Sequence, residues 1–323
     1  MSSSPATAAR ISPRSRSGPG TGPDSTTALP PGPEAWDRSG LALRLGRIEG
    51  LDRAVEPAVR LVKRVLGPGP VKDVLSGTWL GHPLHPLLTD VPIGCFTSAT
   101  VLDLVGGTEG ERAADRLVGL GVLCALPTAA AGLSDWSDAQ GADRRVGIVH
   151  AAANLTGVGL YAASRLARRR GRRVMGCSLG LLGMGVMTAG GYLGGHLTFA
   201  RGLGVNNAFW QHPIEDWTPV CDEADPPEDE AVHTDVDGTG VLLYRRGDRV
   251  LAVGDRCTHA GGPLHEGEID RQQLCVTCPW HQSVFRLEDG AVVHGPASVP
   301  AVAYEARTEG GKVHIRTRDR HTE

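Results

Sequence analysis

Four long apolar segments occupy the middle of the chain, and shorter apolar runs of strand length occupy its C-terminal third. A helix that spans a membrane needs about 20 predominantly apolar residues. The third and fourth segments meet this requirement; the first, which contains Asp90 and Asp103, and the second, which contains Pro127, are borderline. The segments run from Leu87 to Val105, from Leu117 to Leu133, from Val146 to Ser164 and from Val174 to Leu197.

Glycine and alanine are frequent in these segments, and small residues let helices pack closely in a membrane. The pattern therefore favours four transmembrane helices over the alternative, a soluble helical bundle. Beyond residue 230 the pattern changes to short runs separated by Gly-Asp, Asp-Gly and Gly-Gly pairs, which is typical of strands and turns. The predicted strands are Val241–Tyr244, Val250–Val253, Leu274–Thr277, Val284–Leu287, Ala301–Tyr304 and Lys312–Ile315.

These patterns predict a multi-domain protein, with an N-terminal all-α four-helix transmembrane bundle followed by a C-terminal all-β domain. Residues 1–40 are rich in Ser, Pro, Gly and Arg, a composition that cannot bury a core, so we expect a disordered tail without a secretory signal. The remaining expected regions are a basic helical region at 41–77, the membrane domain at 78–210, an acidic linker at 211–230 and the β domain at 231–323.

One face of the basic helical region is apolar, although Pro57 lies inside it. Two interpretations remain open: a helix on the membrane surface, or a helix packed on the following domain. The apolar positions are Leu51, Val55, Val59, Val62 and Leu66.

Charge indicates membrane orientation rather than a nucleic-acid partner. The chain carries 33 basic and 36 acidic residues, which gives no overall argument for nucleic-acid binding. Arginines crowd residues 165–173, and Arg112 and Arg116 lie between the first two apolar segments. The positive-inside rule places both of these loops in the cytoplasm, so both chain ends face outward. Arg172–Arg173 also resembles a twin-arginine export signal.

The motif with the most specific chemistry consists of Cys257-Thr258-His259 and Cys278-Pro279-Trp280-His281. Each half offers one thiolate and one imidazole. Cys257 and Cys278 can hold one iron of a [2Fe-2S] cluster, and His259 and His281 the other, a ligand set that raises the reduction potential to roughly −150 to +300 mV. The alternative is a zinc site that includes Cys275. Leu264, Trp280 and Phe285 are candidates for shielding the cluster from water.

Residues from about 215 to 318 resemble a Rieske domain, of the ferredoxin type rather than the cytochrome bc type. Gly262 and Trp280 stand where the bc type has two further cysteines, so the resemblance implies that its disulfide is absent. It also implies that Ser283 donates a hydrogen bond to a cluster sulfur, that Phe285 replaces a second donor, a tyrosine, and that Gly295-Pro296-Ala297 caps the cluster. Gln282 replaces the usual glycine.

Four histidines flank the predicted membrane helices: His82, His85, His150 and His196. In an up-down bundle they share one membrane side, together with Asp90 and Asp135. They are candidate ligands of a b-type haem or another metal, or else they cap helix ends. Residues from about 78 to 210, through Gly81-His82-Pro83-Leu84-His85-Pro86 and Gly194-Gly195-His196-Leu197, resemble an uncharacterised bacterial family of four-helix membrane proteins.

The sequence thus predicts a multi-pass protein of the bacterial membrane that carries one electron on a Rieske cluster. Its expected partners are a redox protein or quinol, and membrane lipid. One alternative is a subunit of a quinol- or haem-linked oxidoreductase; another is a ferredoxin component that serves a separate oxygenase or reductase. A membrane scaffold that senses redox state is a third. A complete enzyme is disfavoured because no mononuclear-iron catalytic domain is recognisable.

Overall fold

The computed structural model describes residues 40–318, which form a helical unit up to residue 205 and a β unit from residue 206. The predicted disordered tail lies outside the described residues except for its last position. The helices are α1 (Gly40–Gly46), α2 (Asp52–Val65), α3 (Pro70–Ser76), α4 (Leu84–Val105), α5 (Gly107–Trp136), α6 (Gly141–Arg169) and α7 (Arg173–Gly195). A 3-10 turn at Glu49–Leu51 precedes α2, and a π-helical turn at His196–Ala200 ends α7.

Four helices are long and apolar enough to cross a membrane, namely α4, α5, α6 and the continuous segment Arg173–Ala200. The prediction of four membrane helices is therefore confirmed. Each helix extends beyond the apolar segment that predicted it, because polar first and last turns stay helical where water or headgroups can bond them. Large apolar side chains point outward, among them Leu123 at 63% and Leu155 at 74% exposure, as lipid-facing positions require.

The interior of the bundle is built from small residues around one aromatic pair. The rings of Phe96 on α4 and Tyr161 on α6 stack with centroids 3.9 Å apart. Ala99, Ala114 and Val118 are fully buried beside them. Arg168 forms a buried ion pair with Asp103, and Arg173 Nη2 lies 3.1 Å from Asp103 Oδ1. Three of the four helices are thus joined at their arginine-rich end.

Helix α2 packs on the bundle, which supports the second of the two interpretations of its apolar face. Val55 and Val59 are buried against Trp136 and Ala139. Pro57 lies in the second turn of α2, where its ring removes the N–H that would bond the carbonyl four residues earlier.

The β unit contains two antiparallel sheets. The first has six strands in the order β1-β10-β9-β4-β3-β2, and the second has four in the order β5-β6-β7-β8. The strands are β1 (Thr218–Asp222), β2 (Ala231–Val236), β3 (Thr239–Arg246), β4 (Arg249–Gly254), β5 (Glu268–Asp270), β6 (Cys275–Thr277), β7 (Val284–Arg286), β8 (Val292–His294), β9 (Ala303–Glu309) and β10 (Lys312–Thr317).

Strand β3 is buried on both faces and separates two cores. Leu242 and Tyr244 face the core that also contains Cys257 and Cys278, while Val241 and Leu243 face the other. Strand β1 lies inside the segment predicted to be an acidic linker. It pairs with β10 although only Val220 and Cys221 of its five residues are buried, so its apolar pattern is too short to reveal it.

Candidate metal centre

Two loops of the β unit carry the predicted cluster ligands and have the same backbone frame. In the first loop, residues 257–262, the N–H of Cys257 bonds to the carbonyl of Gly262 at 2.9 Å, and that of Gly261 to the carbonyl of Cys257 at 2.8 Å. In the second loop, residues 278–283, the N–H of Cys278 bonds to the carbonyl of Ser283 at 2.8 Å, and that of Gln282 to the carbonyl of Cys278 at 3.1 Å. Equivalent positions are 21 residues apart.

The fifth position of each loop needs a left-handed backbone. Gly261 has φ +79° and Gln282 has φ +63°. A residue with a Cβ is strained in this conformation, whereas glycine is not. The glycine expected from the family resemblance therefore has a local reason, and Gln282 makes the second loop the more strained of the two.

The two cysteine side chains meet at the base of the loops. Both residues are 1% exposed, and their thiols lie within hydrogen-bonding distance of each other. That hydrogen bond, together with the backbone N–H groups of Trp280 and His281 and against the effect of burial, lowers the pKa of Cys278 to about 7. The same hydrogen bond and burial raise the pKa of Cys257. The amides of His259 and Ala260 point at the Cys257 sulfur. The pocket is thus built to stabilise negative charge on sulfur.

The two imidazoles lie at the outer edge of the same site. The rings of His259 and His281 have centroids 5.0 Å apart and stand nearly perpendicular, at 88°. Both residues are half-buried, whereas the cysteines are fully enclosed. The donor set is therefore asymmetric, with sulfur inside and nitrogen at the surface.

Gly262 allows the two loops to approach each other closely. A Cβ at this position would lie 3.0 Å from the Cys278 sulfur and 3.0 Å from the indole of Trp280. Leu264 and Phe285, two of the predicted shielding residues, are fully buried in the core below the cysteines. Trp280 is 43% exposed and covers the site only in part.

Ser283 and the segment from Gly295 to Ala297 join the second loop to the rest of the site. The hydroxyl oxygen of Ser283 accepts a hydrogen bond from the backbone N–H of Ala297 at 2.9 Å. Since a hydroxyl has one hydrogen of its own, that hydrogen stays available to a further acceptor. Ser283 is fully buried, so a group of the site itself is the natural acceptor.

Cys275, which the zinc alternative needs, is directed away from this donor set. It lies on β6, is 4% exposed, and its sulfur is 3.4 Å from the carbonyl of Gln273. All seven cysteines fall within residues 40–318 and are free thiols. Two thiols and two imidazoles on paired loops fit the ligand requirement of a binuclear cluster with mixed sulfur and nitrogen ligation.

A hydrogen-bonded group of His233, Asp255 and His265 joins the two ends of the first loop, and sequence reasoning missed it. Asp255 Oδ2 accepts hydrogen bonds from Nδ1 of His233 and of His265, both at 2.7 Å, and Oδ1 accepts the N–H of His265 at 2.7 Å. Burial acts to raise the pKa of Asp255, but the hydrogen bonds from the two histidines outweigh it and lower that pKa to about 2. Asp255 and His265 stand at either end of the loop.

Asn207 is a second support that sequence reasoning missed. Its backbone N–H bonds to the carbonyl of Thr258 at 2.9 Å, and its side-chain amide donates to the carbonyl of His259 at 2.8 Å. No local signal reveals it, because its partners lie about 50 positions further along the chain.

The four membrane histidines are in different surroundings. His85 Nδ1 lies 3.0 Å from the carbonyl of Thr128, and His150 Nδ1 lies 2.7 Å from the carbonyl of Gly190. His82 is exposed and bonds to the carbonyl of Pro83. His196 begins the π-helical turn.

Comparison with known proteins identifies two families in the chain. Residues 216–305 match the Rieske [2Fe-2S] domain, and residues 81–207 match a family described as "Predicted membrane protein (DUF2231)". The 3-phenylpropionate/cinnamic acid dioxygenase ferredoxin subunit of Escherichia coli (strain K12) is 34% identical over 96 residues, which are 30% of this chain and 89% of that protein. The subunit of the same name from Shigella boydii serotype 4 (strain Sb227) is 33% identical over 96 residues.

Among solved structures, the ferredoxin of carbazole 1,9a-dioxygenase from Nocardioides aromaticivorans IC177 is 29% identical. The match covers 31% of this chain and 99% of that one, with a TM-score of 0.30. The chain belongs to the Rieske [2Fe-2S] family: it is an electron carrier of the Rieske ferredoxin type, joined in one polypeptide to a predicted membrane-protein domain.

Proposed function

We propose that this chain is a membrane-anchored one-electron carrier in which Cys257 and Cys278 bind one iron and His259 and His281 the other. The observation that carries the proposal is the convergence of these four side chains from two loops with the same hydrogen-bond frame. When bound, a cluster with this ligation supplies a one-electron couple at roughly −150 to +300 mV.

The protein's own groups prepare the site for this chemistry. Four backbone N–H groups directed at the two sulfurs stabilise their negative charge, and the buried position of the cysteines excludes water. The half-buried imidazoles form the edge through which a partner would exchange an electron. One exposed edge suits a protein that passes electrons on rather than one that binds a substrate.

The partner we propose is a redox protein that docks at the imidazole edge. The dioxygenase ferredoxin subunits that this chain resembles suggest an oxygenase or its reductase as the class of partner. The membrane domain in the same polypeptide keeps the carrier at the lipid surface. We further propose that the β unit is extracytoplasmic, because the arginines in the connection between α6 and α7, and Arg112 and Arg116 at the start of α5, favour the cytoplasmic side.

Electron paramagnetic resonance of the purified, reduced full-length protein tests the ligand assignment. We expect the signal of an iron pair with mixed nitrogen and sulfur ligands, retained in Cys275→Ser and lost in Cys257→Ser and Cys278→Ser. Cys275 is a matched control because it is equally buried and lies three residues from Cys278. Purified protein that contains zinc and no iron would refute the proposal.

A second candidate is a subunit of a quinol- or haem-linked oxidoreductase, in which the cluster exchanges electrons with a centre in the bundle. His85 and His150 favour it, because each directs Nδ1 at a main-chain carbonyl. At His150 the side-chain amide nitrogen of Asn154 lies 3.5 Å from Nε2, and a ligand at this atom would displace it. Rapid mixing of the oxidised protein with a short-chain quinol separates the candidates. Cluster reduction that disappears in His85→Ala and His150→Ala favours the subunit, whereas reduction by a soluble reductase alone favours the carrier.

A further inference from the structure

The four membrane helices form two equivalent hairpins, α4–α5 and α6–α7. Residues of α4 correspond to residues of α6 that lie 65 positions later, and residues of α5 to residues of α7 that lie 62 positions later. Because α4 and α6 run in the same direction, an approximate two-fold axis along the bundle relates the hairpins. Three layers of side chains carry this correspondence.

The middle layer is aromatic. Phe96 and its equivalent Tyr161 stack on each other with planes 10° apart. Each ring also packs on a glycine of its own hairpin: a Cβ on Gly121 would lie 2.6 Å from the Phe96 ring, and one on the equivalent Gly183 would lie 3.1 Å from the Tyr161 ring. Equivalent residues therefore meet each other at the centre of the bundle.

The next layer, towards the arginine-rich connection, is ionic. Asp103 and its equivalent Arg168 form the buried salt bridge. In this layer too the equivalent residues of α4 and α6 contact one another.

The third layer contains His85 and its equivalent His150. A Cβ on Gly132 would lie 2.7 Å from Cε1 of His85, and a Cβ on the equivalent Gly194 would lie 2.8 Å from Cε1 of His150. The carbonyls that accept from the two Nδ1 atoms belong to Thr128 and Gly190, which are again equivalent and precede these glycines by four residues. The two histidines thus contact equivalent glycines and equivalent main-chain carbonyls in the two hairpins.

The three layers lie on one face of each helix. His85, Phe96 and Asp103 are separated by steps of 11 and 7 residues, close to three and two turns of an α-helix. Since the equivalent residues meet in the aromatic and ionic layers, the histidine layer brings His85 and His150 to face each other across the bundle.

We propose that His85 and His150 are the two axial ligands of one b-type haem in the membrane unit. Donation from Nδ1 to a carbonyl fixes the tautomer that has its lone pair on Nε2, as the outer hydrogen bond of a metal-bound histidine does. At His150 this lone pair now faces the amide nitrogen of Asn154 at 3.5 Å, which the haem iron would replace. A porphyrin supplies four nitrogens and neutralises the charge of its iron, so two neutral imidazoles complete the coordination within an apolar bundle. A bare divalent ion would need further anionic ligands at this depth.

The repeat also separates these two residues from the other membrane histidines. His82 corresponds to Gly147, and His196 corresponds to Ser134, so neither has a histidine in the equivalent position. The inference deepens the proposed oxidoreductase-subunit function and rests on it for the haem's role as electron partner of the cluster.

The test is haem quantification on full-length protein purified in detergent without a polyhistidine tag. We expect about one haem per chain, measured as the pyridine haemochrome, with the low-spin spectrum of two imidazole ligands. His85→Ala and His150→Ala should lose the haem or become high-spin, and the matched controls His82→Ala and His196→Ala should keep it. Protein that is free of haem and does not bind added haemin overturns the inference, as does equal loss in the controls.

Helical circular dichroism in detergent provides the folding control, because the cluster signal reports only on the β unit. A variant that keeps the helical signal is folded; where an alanine variant loses it, His85→Met or His150→Met replaces that variant, because Met retains volume and an axial donor. A changed axial-ligand spectrum in the Met variant supports the inference, and an unchanged one overturns it. Protein with a cluster and no haem refutes only the haem site, and protein with haem and no cluster refutes only the proposed carrier.

Discussion

Under the proposed ligand assignment, Ser283 and Phe285 are the residues through which hydrogen bonding to the cluster can be adjusted. Ser283 is fully buried and keeps its own hydroxyl hydrogen after it has accepted the N–H of Ala297. Phe285 is fully buried in the core that contains both cysteines and has no polar atom to offer. A donor to sulfur stabilises the reduced, more negative cluster and therefore raises its reduction potential.

Replacing these two residues should shift the potential in opposite directions. Ser283→Ala removes a donor, so we expect a fall on the order of 60 mV, which corresponds to the loss of one hydrogen bond to a charged group. Phe285→Tyr adds a hydroxyl and should raise the potential. Spectroelectrochemical titration of the two variants measures both shifts; shifts of the same sign would contradict the assignment.

Gln282 carries a side chain in a left-handed backbone conformation that favours glycine. Gln282→Gly should stabilise the β unit by about 0.5 kcal/mol, since relief of left-handed strain exceeds the entropy that glycine adds to the unfolded chain. Gln272→Gly is the control, because its φ is not positive and only the entropic loss applies. Thermal unfolding of cluster-loaded protein compares them, and equal destabilisation of both would count against strain at residue 282.

The four proposed cluster ligands could be named from the sequence because each ligand pair lies within four consecutive residues and its loop frame is local. Asn207 and His233 could not, because their roles depend on pairings far apart in sequence. Asp255 and His265 flank the first loop, but without the fold nothing indicates that their side chains meet.

At the scale of elements, the hydrogen bonds of Asp255 hold the two ends of the first ligand loop together, and glycines allow the helices of the bundle to pack closely. Helices α4 to α7 were predictable because their apolar segments are long. Strands β5 and β8 were missed because none of their three residues is buried, whereas β6 and β7, of the same length, each contain a buried apolar residue. Strand β1 was missed because only two of its five residues are buried and an acidic stretch follows it.

Asp255→Asn should loosen the first loop. The carboxylate accepts three hydrogen bonds, two of which an amide cannot reproduce in full, so we expect a loss of about 1–3 kcal/mol and faster bleaching of the cluster. Asp248→Asn is the control, because Asp248 is exposed in a turn. Visible absorbance during thermal unfolding measures both variants. Identical bleaching would show that the hydrogen bonds of Asp255 do not support the loop.

Gly194→Ala should destabilise the bundle by about 1–3 kcal/mol, because the added methyl group would overlap the ring of His150. Gly191→Ala on the same helix has open space around the new Cβ and should stabilise α7 by about 0.5–1 kcal/mol. Helix unfolding in detergent, followed by circular dichroism, should separate the two variants in sign. Stabilisation by both variants would mean that position 194, beside the ring of His150, tolerates a side chain.

At the scale of the whole molecule, the distribution of arginines sets the orientation that we propose. A protease site inserted after Arg170, between α6 and α7, should resist protease added to spheroplasts, whereas one inserted after Gly204 should be cut. Immunoblotting reads both results. The reverse pattern would place the cluster in the cytoplasm and refute the orientation that we propose.

The contacts of Asn207 determine how the redox half can be studied in isolation. A fragment that starts at residue 231, where the β pattern becomes visible in the sequence, discards β1 and both hydrogen bonds from Asn207 to the loop of Cys257. A fragment that starts at residue 206 retains them. Potentials measured on the shorter fragment would describe a damaged site, so the excision point belongs 25 residues upstream of the apparent one.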